Sequence, residues 1–350
     1  MHSILLPISK SIANRLLILQ AIHGDGLMTV SCDMPDDVQL LHHALATLDT
    51  LKQATLLHET SKTLSTPRID VGNCGTAMRF LTAYCAQLEG QTSILDGVER
   101  MHHRPIGQLV NALREIGAQI EYLGEDGFPP LRIKGCALDK HRIVTLNNPL
   151  STQFISALLL IGANVQTNST SPYINITRKL VEQFKIQNSK FIIEKDWSSS
   201  AFWYEYVALH GGELHLPGLF RDSLQGDKVV SDIFAHLGVK TQYTAEGILI
   251  SSLPLHHTPH TIHLDFSSCP DLYPSVALTC ERLGITLDAM GTESLSIKES
   301  DRLRAVREHR TDHDHRMAMA LLIAGYPVDD TDCIKKSYPK FIEQWQITQQ

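Results

Sequence analysis

One pattern recurs along this chain and constrains its fold more than any bulk property. A polar start leads into a very apolar helix, then a Gly and a short strand. A second polar start follows, with an amphipathic helix ending in Leu-Gly or Ile-Gly, and two strands joined by a turn close the unit. The clearest copy runs from Asn73 to Gly135. There Gly75 to Leu88 reads as the apolar helix and Gln91 to Leu95 as a strand. Over Arg104 to Ile116, the residues Ile106, Leu109, Val110, Leu113 and Ile116 fall at helical spacing, and Gly117 stops the helix. Ala118 to Leu123 and Leu131 to Lys134 read as strands around the turn Gly124-Glu125-Asp126-Gly127. Another copy begins at Ser198, with helices over Ala201 to Leu209 and Asp227 to Leu237. Its strands are Gly212 to Leu216, Val239 to Tyr243 and Gly247 to Ile250. Further copies open at Lys10, Ser151, Pro270 and Asp314, about six in all. Each must bury its apolar helix against neighbours, which predicts two similar α/β domains of three copies each.

Some copies are short. Only Asn164 to Thr170 separates Ala163 from Ser171-Pro172-Tyr173, too little for a full strand and its turns. The helix after Arg302 reaches about His309, and Asp312-His313 then arrives at once, where a strand–turn–strand is expected. The connection from Tyr326 to Asp332 is clipped as well.

The formal net charge of −7 argues against a broad nucleic-acid surface, while local cation clusters still suit anionic small molecules. No apolar run reaches the roughly 18 residues of a membrane span, and no basic-then-apolar leader opens the chain. Seven scattered cysteines without a Cys-x-x-Cys pair point to a reducing cytoplasm. His256, His257, His260 and His263 lie close together, but in a Pro-flanked connection they read as solvated rather than as metal ligands. No metal and no cofactor are expected.

Charged and hydroxyl residues gather at the polar starts. They are Lys10, Ser11 and Arg15; Asn73 to Arg79 with Arg100 and Arg104; Ser151-Thr152-Gln153; Asp271; Lys298-Glu299-Ser300-Asp301-Arg302; and Asp314-His315-Arg316 with Lys335-Lys336. A lone cluster of this kind is a capped helix. Recurring in register, they bring helix N-termini, each partly positive, and several Lys and Arg side chains toward a multiply charged anion. Glu299 among those cations is ionised at rest yet able to take and return a proton.

Five of these stretches resemble the 5-enolpyruvylshikimate-3-phosphate synthase family. They are Lys10-Ser11-x-x-Asn14-Arg15, Gly72-Asn73-x-Gly75-Thr76-Ala77-Met78-Arg79, Arg104-Pro105-Ile106-Gly107, Lys298-Glu299-x-Asp301-Arg302 and Asp314-His315-Arg316-Met317-Ala318-Met319. The resemblance spans nearly the whole chain in the family's order. The related UDP-N-acetylglucosamine enolpyruvyl transferases fit less well, since they carry a loop cysteine and lack the Lys-Ser-x-x-Asn-Arg start. The resemblance implies an inside-out α/β barrel of two domains, each of three βαβαββ units. It implies a first domain over residues 9–224 and a second from 1–8 and 225–350, with the substrates in a closing cleft.

It further implies transfer of the enolpyruvyl group of phosphoenolpyruvate to the 5-hydroxyl of shikimate 3-phosphate, with release of phosphate and without a metal. Carried over residue by residue, Asp271, Glu299 and Lys10 are catalytic. Phosphoenolpyruvate is held by Lys10, Gly75, Arg104, Gln153, Arg302, Arg316 and Lys336, for which Lys335 is an alternative. Shikimate 3-phosphate is held by Lys10, Ser11, Arg15, Ser151, Thr152, Gln153, Thr170, Tyr173, Asp271, Ser294 and Lys298. Cys74 stands where the family usually has Ala. Phe80 stands where many members have Pro, which suggests altered sensitivity to the phosphonate inhibitor glyphosate. A cytoplasmic monomer is expected. The shortened copies keep open a catalytically impaired phosphosugar-binding relative, and the acidic charge disfavours a third reading, RNA 3′-phosphate chemistry on a related fold.

Overall fold

The computed structural model describes residues 2–56, 66–187, 191, 193–253 and 260–349. The chain divides into two compact units. A leading unit comprises Ser11–Ser31 and Asp37–Phe191, and a trailing unit Met1–Lys10, Cys32–Asp36 and Ile192–Gln350. The division falls beside Phe191 rather than at the Leu224 implied by the resemblance, so the stretch from 192 to 224 belongs with the C-terminal half. The reason is the helix Trp197–His210, whose Trp197, Trp203 and Tyr204 fill the same core as Ile4, Phe234, Met317 and Phe341. Truncating either tryptophan costs about 3–5 kcal/mol, so this segment cannot leave that core cheaply. The repeat starts agree with this division. The copies opening at Lys10, Asn73 and Ser151 build the leading unit, and those at Ser198, Pro270 and Asp314 the trailing one.

In the leading unit a four-stranded sheet runs in the order Arg68–Asp70, Thr92–Asp96, Leu131–Lys134, Gln119–Tyr122. The first pair is parallel and the other two are antiparallel. Leu95 faces Leu131 and Ile120 faces Ile133 in this register, and all four are buried while their chain neighbours are more exposed. The helices Lys10–His23, Gly75–Ala86 and Thr152–Leu160 are apolar around most of their circumference and are buried accordingly. Gly75–Ala86 packs on Thr152–Leu160, which packs on Pro172–Gln187. The helix expected from Arg104 starts at Gly107, because Arg104 is extended (φ −96°, ψ 115°) where it closes the 3-10 turn Glu99–His103.

The trailing unit repeats the plan. Its sheet runs His2–Ser3, Glu213–Pro217, Gly247–Ser252, Val239–Tyr243, again one parallel pair followed by two antiparallel ones. The helices Trp197–His210, Tyr273–Leu283 and His315–Ala324 pack on one another.

The short copies take a definite form. Each unit holds one complete four-stranded copy and one reduced to a parallel pair: Ile143–Thr145 with Asn164–Gln166, and Thr261–Asp265 with Thr286–Met290. Among the described residues no strand lies between Glu308 and His315, nor between Ala324 and Asp332. What is missing from the reduced copies is the antiparallel strand pair, and the apolar helix stays.

Candidate active site

In the trailing unit several helix and turn starts bring their charged side chains together. Asp271 lies in the 3-10 turn Pro270–Leu272, just ahead of helix Tyr273–Leu283. Its Oδ1 accepts from Arg302 Nη1 at 2.8 Å and lies 3.5 Å from Lys298 Nζ, while its Oδ2 accepts from Arg316 Nη2 at 2.9 Å. Glu299 Oε2 accepts from Arg302 Nη2 at 3.1 Å, and its Oε1 accepts from Lys336 Nζ at 2.9 Å. One guanidinium, only 1 % exposed, therefore touches both carboxylates. Burial by itself would raise the Asp271 carboxyl, but Arg316, Lys298 and Arg302 outweigh it and hold the group well below the usual carboxylate range. Arg302 is desolvated too, yet Asp314, Asp271 and Glu299 together hold its proton more firmly than usual. Burial lowers Lys298, and Asp271 offsets part of that.

Two more buried acids stand near this cluster. Burial, reinforced by the charge of Asp271, pushes Asp227 up to about 7, and the Ser198 hydroxyl donates to it. Burial also raises Asp196, which accepts from the Ser199 hydroxyl at 2.7 Å. His315 is fully buried. Desolvation and the positive charges of Lys10 and Arg316 push it well below its ordinary value, so the ring is neutral.

The leading unit carries a second cluster. Arg15 donates from Nε to Thr177 Oγ1 at 2.7 Å, and from Nη2 to Ser156 Oγ and the Tyr173 carbonyl, both at 3.1 Å. Its Nη1 donates to the Ser11 carbonyl at 2.7 Å. Desolvation lowers this guanidinium to about 10. The Phe80 ring centroid lies 5.5 Å from it, so Phe80 backs Arg15. Gly75 opens helix Gly75–Ala86, which Cys74 caps by accepting the Ala77 N–H at 3.3 Å. A side chain at Gly75 would collide with Arg79 Nη1 and stand 2.6 Å from Nη1 and Nη2 of Arg104. Gln153 accepts from Arg79 Nη1 at 3.2 Å and donates to Thr76 Oγ1 at 3.0 Å. Ser151 caps the helix Thr152–Leu160 by accepting the Gln153 N–H at 3.3 Å.

Of the residues singled out in the sequence, Asp271, Lys298, Glu299, Arg302, Arg316 and Lys336 meet in one unit, and the charge of Lys10 acts on Asp196 and His315 there. Lys335 is excluded from this group, because it pairs with Asp332 on the surface. Arg15 with Ser11 and Tyr173, and Gln153 with the arginines at Gly75, assemble in the other unit. Thr170 and Ser294 join neither cluster. Thr170 is exposed beyond Asn164–Gln166, and Ser294 lies in the 3-10 turn Glu293–Ile297. His256 and His257 fall outside the described residues, and His263 pairs with Asp288 at 2.7 Å. The sequence reading gave no role to Asp314, Asp196, Asp227, Ser156 or Thr177. Asp314 and Arg79 did stand at the polar starts and inside quoted motifs.

A family model described as EPSP synthase (3-phosphoshikimate 1-carboxyvinyltransferase) matches residues 2–187, 162–309 and 307–345. The chain belongs to the EPSP synthase family. A 3-phosphoshikimate 1-carboxyvinyltransferase of Bacteroides fragilis is 36% identical, with 97% of this chain and 93% of that protein covered. The protein of the same name from Colwellia psychrerythraea is 29% identical, with 97% and 95% covered. In structure the chain is similar to an EPSP synthase from Acinetobacter baumannii, with a TM-score of 0.66, 19% identity, and 99% and 95% covered. It is also similar to the enolpyruvyl transferase NikO from Streptomyces tendae, with a TM-score of 0.64, 11% identity, and 98% and 94% covered.

The breaks in the EPSP synthase match are informative. Successive matched segments overlap at 162–187, beside the reduced pair Ile143–Thr145 with Asn164–Gln166, and at 307–309, ahead of the strandless stretch from Glu308 to His315. The alignment to the Bacteroides protein runs 403 positions although this chain has 350 residues. Relative to the EPSP synthases it matches, this chain thus lacks residues inside the aligned region.

Proposed function

We infer that this chain transfers the enolpyruvyl group of phosphoenolpyruvate to the 5-hydroxyl of shikimate 3-phosphate and releases phosphate. Family membership supports the reaction class. The observation that carries it to these residues is the pair of carboxylates, Asp271 and Glu299, bridged by one buried guanidinium. Phosphoenolpyruvate brings a phosphate and a carboxylate, which Arg302, Arg316, Lys336 and Lys10 suit in the trailing unit. Arg104 and Gln153, beside Gly75, suit them in the leading unit. Arg15, Ser11, Ser151, Thr152 and Tyr173 are assigned to the sugar phosphate, with Lys298.

The chemistry follows from the charges. Glu299, ionised at rest, takes a proton from solvent before water is excluded and delivers it to the methylene carbon, and positive charge develops at the adjacent carbon. The sugar hydroxyl attacks that carbon as Asp271 accepts its proton. Glu299 then takes a proton back from the methyl group while the C–O bond to phosphate breaks. Before substrate arrives, Asp271 is a weak base because Arg316, Lys298 and Arg302 surround it. An incoming anion draws on the same cations, so binding itself strengthens the base. Exclusion of water protects the charged intermediate.

We place the reaction in the cytoplasm, in keeping with seven cysteines none of which forms a disulfide, and with the absence among the described residues of any helix long and apolar enough to cross a membrane. The test is phosphate release from phosphoenolpyruvate plus shikimate 3-phosphate. Turnover is expected. Calorimetric binding of shikimate 3-phosphate without turnover would overturn this reading in favour of an impaired relative.

A further inference from the structure

We propose that Asp314 is a positioning residue that sets the anion-binding edge of Arg302. The proposal rests on the transfer reaction inferred above. Asp314 is 0 % exposed and caps the helix His315–Ala324. Its Oδ1 accepts the Arg316 backbone N–H at 2.9 Å. Its Oδ2 accepts the Arg302 Nε–H at 2.8 Å and the Ser300 hydroxyl at 3.1 Å, and Arg302 Nη2 lies 3.4 Å from Oδ1. A guanidinium carries five N–H donors in one plane. With Nε and one side of Nη2 held by Asp314, both the plane and its rotation are set. Nη1 and the other side of Nη2 are thereby turned to Asp271 and Glu299. An anion that displaces those carboxylates meets donors already aligned, and ordering the guanidinium does not weaken its binding. The same carboxylate starts the helix that carries Arg316, so one buried group places both arginines.

The experiment compares wild type with Asp314→Asn and Asp314→Ser by steady-state kinetics, melting temperature and the NMR signal of the Arg302 side-chain Nε–H, assigned by its loss in Arg302→Lys. Asn keeps the shape and the capping oxygen but not the charge, and Ser keeps the cap alone. The expected result is a KM for phosphoenolpyruvate raised about tenfold or more in both, with the KM for shikimate 3-phosphate within about twofold. The Nε–H signal, protected in wild type, is expected to be lost in both variants. A purely capping role would leave both KM values and the signal unchanged in Asp314→Asn, and that result overturns the proposal. Should wild type show no turnover, the reaction assignment fails, while the Nε–H signal still decides whether Asp314 holds Arg302. Should Asp314→Asn not fold, Ser300→Ala removes one donor to Asp314, and a smaller rise in the same KM is expected. No rise there also counts against the proposal.

Discussion

Arg302 shows what single residues contribute here. Three carboxylates, from Asp271, Glu299 and Asp314, converge on its five donors inside a unit whose chain carries net negative charge. Breaking such a buried pair by removing one partner is costly, so neutral replacements of matching shape are the informative ones. Glu299→Gln keeps the shape and one accepting oxygen, for either Arg302 or Lys336, but cannot carry a proton. Its kcat should fall about 10²–10⁴-fold while calorimetric binding of shikimate 3-phosphate stays unchanged. A kcat within tenfold of wild type would take Glu299 out of the proton transfer. Gly75 acts by having no side chain. Gly75→Ala pushes against the guanidinium tips of Arg79 and Arg104, which can swing aside, so the protein should melt within a few degrees of wild type. The KM for phosphoenolpyruvate should rise about tenfold, and an unchanged KM would show that those tips do not hold it.

At the scale of elements, the question is how a copy stays closed after losing two strands. Helix Arg302–Glu308 ends at His309 with φ 50°, and Asp312 and His313 also adopt left-handed backbone, at φ 47° and 57°. Those turns bring the chain from one helix end to the Asp314 cap directly. Side chains then supply what the missing sheet would have given. The His309 ring stacks on Tyr326 at 3.8 Å and its Nε2 lies 2.9 Å from Glu281, to which the Tyr326 hydroxyl donates at 2.5 Å. His313 pairs with Asp330 at 2.6 Å. Tyr326→Ala should lower the melting temperature by about 3–6 °C and leave kcat/KM within about twofold. A thermal scan showing no change would mean that the backbone turns alone close this copy.

The whole molecule rests on two cores, and the trailing one contains a liability. Glu205 is fully buried in helix Trp197–His210, and neither of its oxygens has a hydrogen-bond partner among the described residues. Burial raises its carboxyl well above the ordinary 4.5, with the nearby Ser275 hydroxyl offsetting only part of that. The folded protein therefore keeps the proton while the unfolded chain loses it above about 4.5. Stability is fully present below that pH and declines as pH climbs toward the raised value, by about 1.4 kcal/mol per pH unit. Glu205→Gln removes this slope. Its melting temperature should match wild type near pH 5 and exceed it by several degrees at pH 8. Parallel melting curves for the two proteins across that range would refute the assignment.

Much of this was legible in the residues. The strands Leu131–Lys134 and Val239–Tyr243, the buried apolar helices and the clipped segment after His309 follow from local periodicity and turn chemistry, which depend on neighbours in the chain. The polar starts likewise marked Asp271, Glu299, Arg302 and Arg316 as candidates, and their side chains meet in one unit. Other facts depended on residues distant in sequence. The unit division beside Phe191, the choice of Lys336 over Lys335, the backing of Arg15 by Phe80, and the clamp of Asp314 on Arg302 belong to this class. A capping aspartate looks the same in sequence whether or not a guanidinium lies against its second oxygen. The sequence alone determined which side chains stand at the helix starts, and packing of the apolar helices decided which of those starts meet.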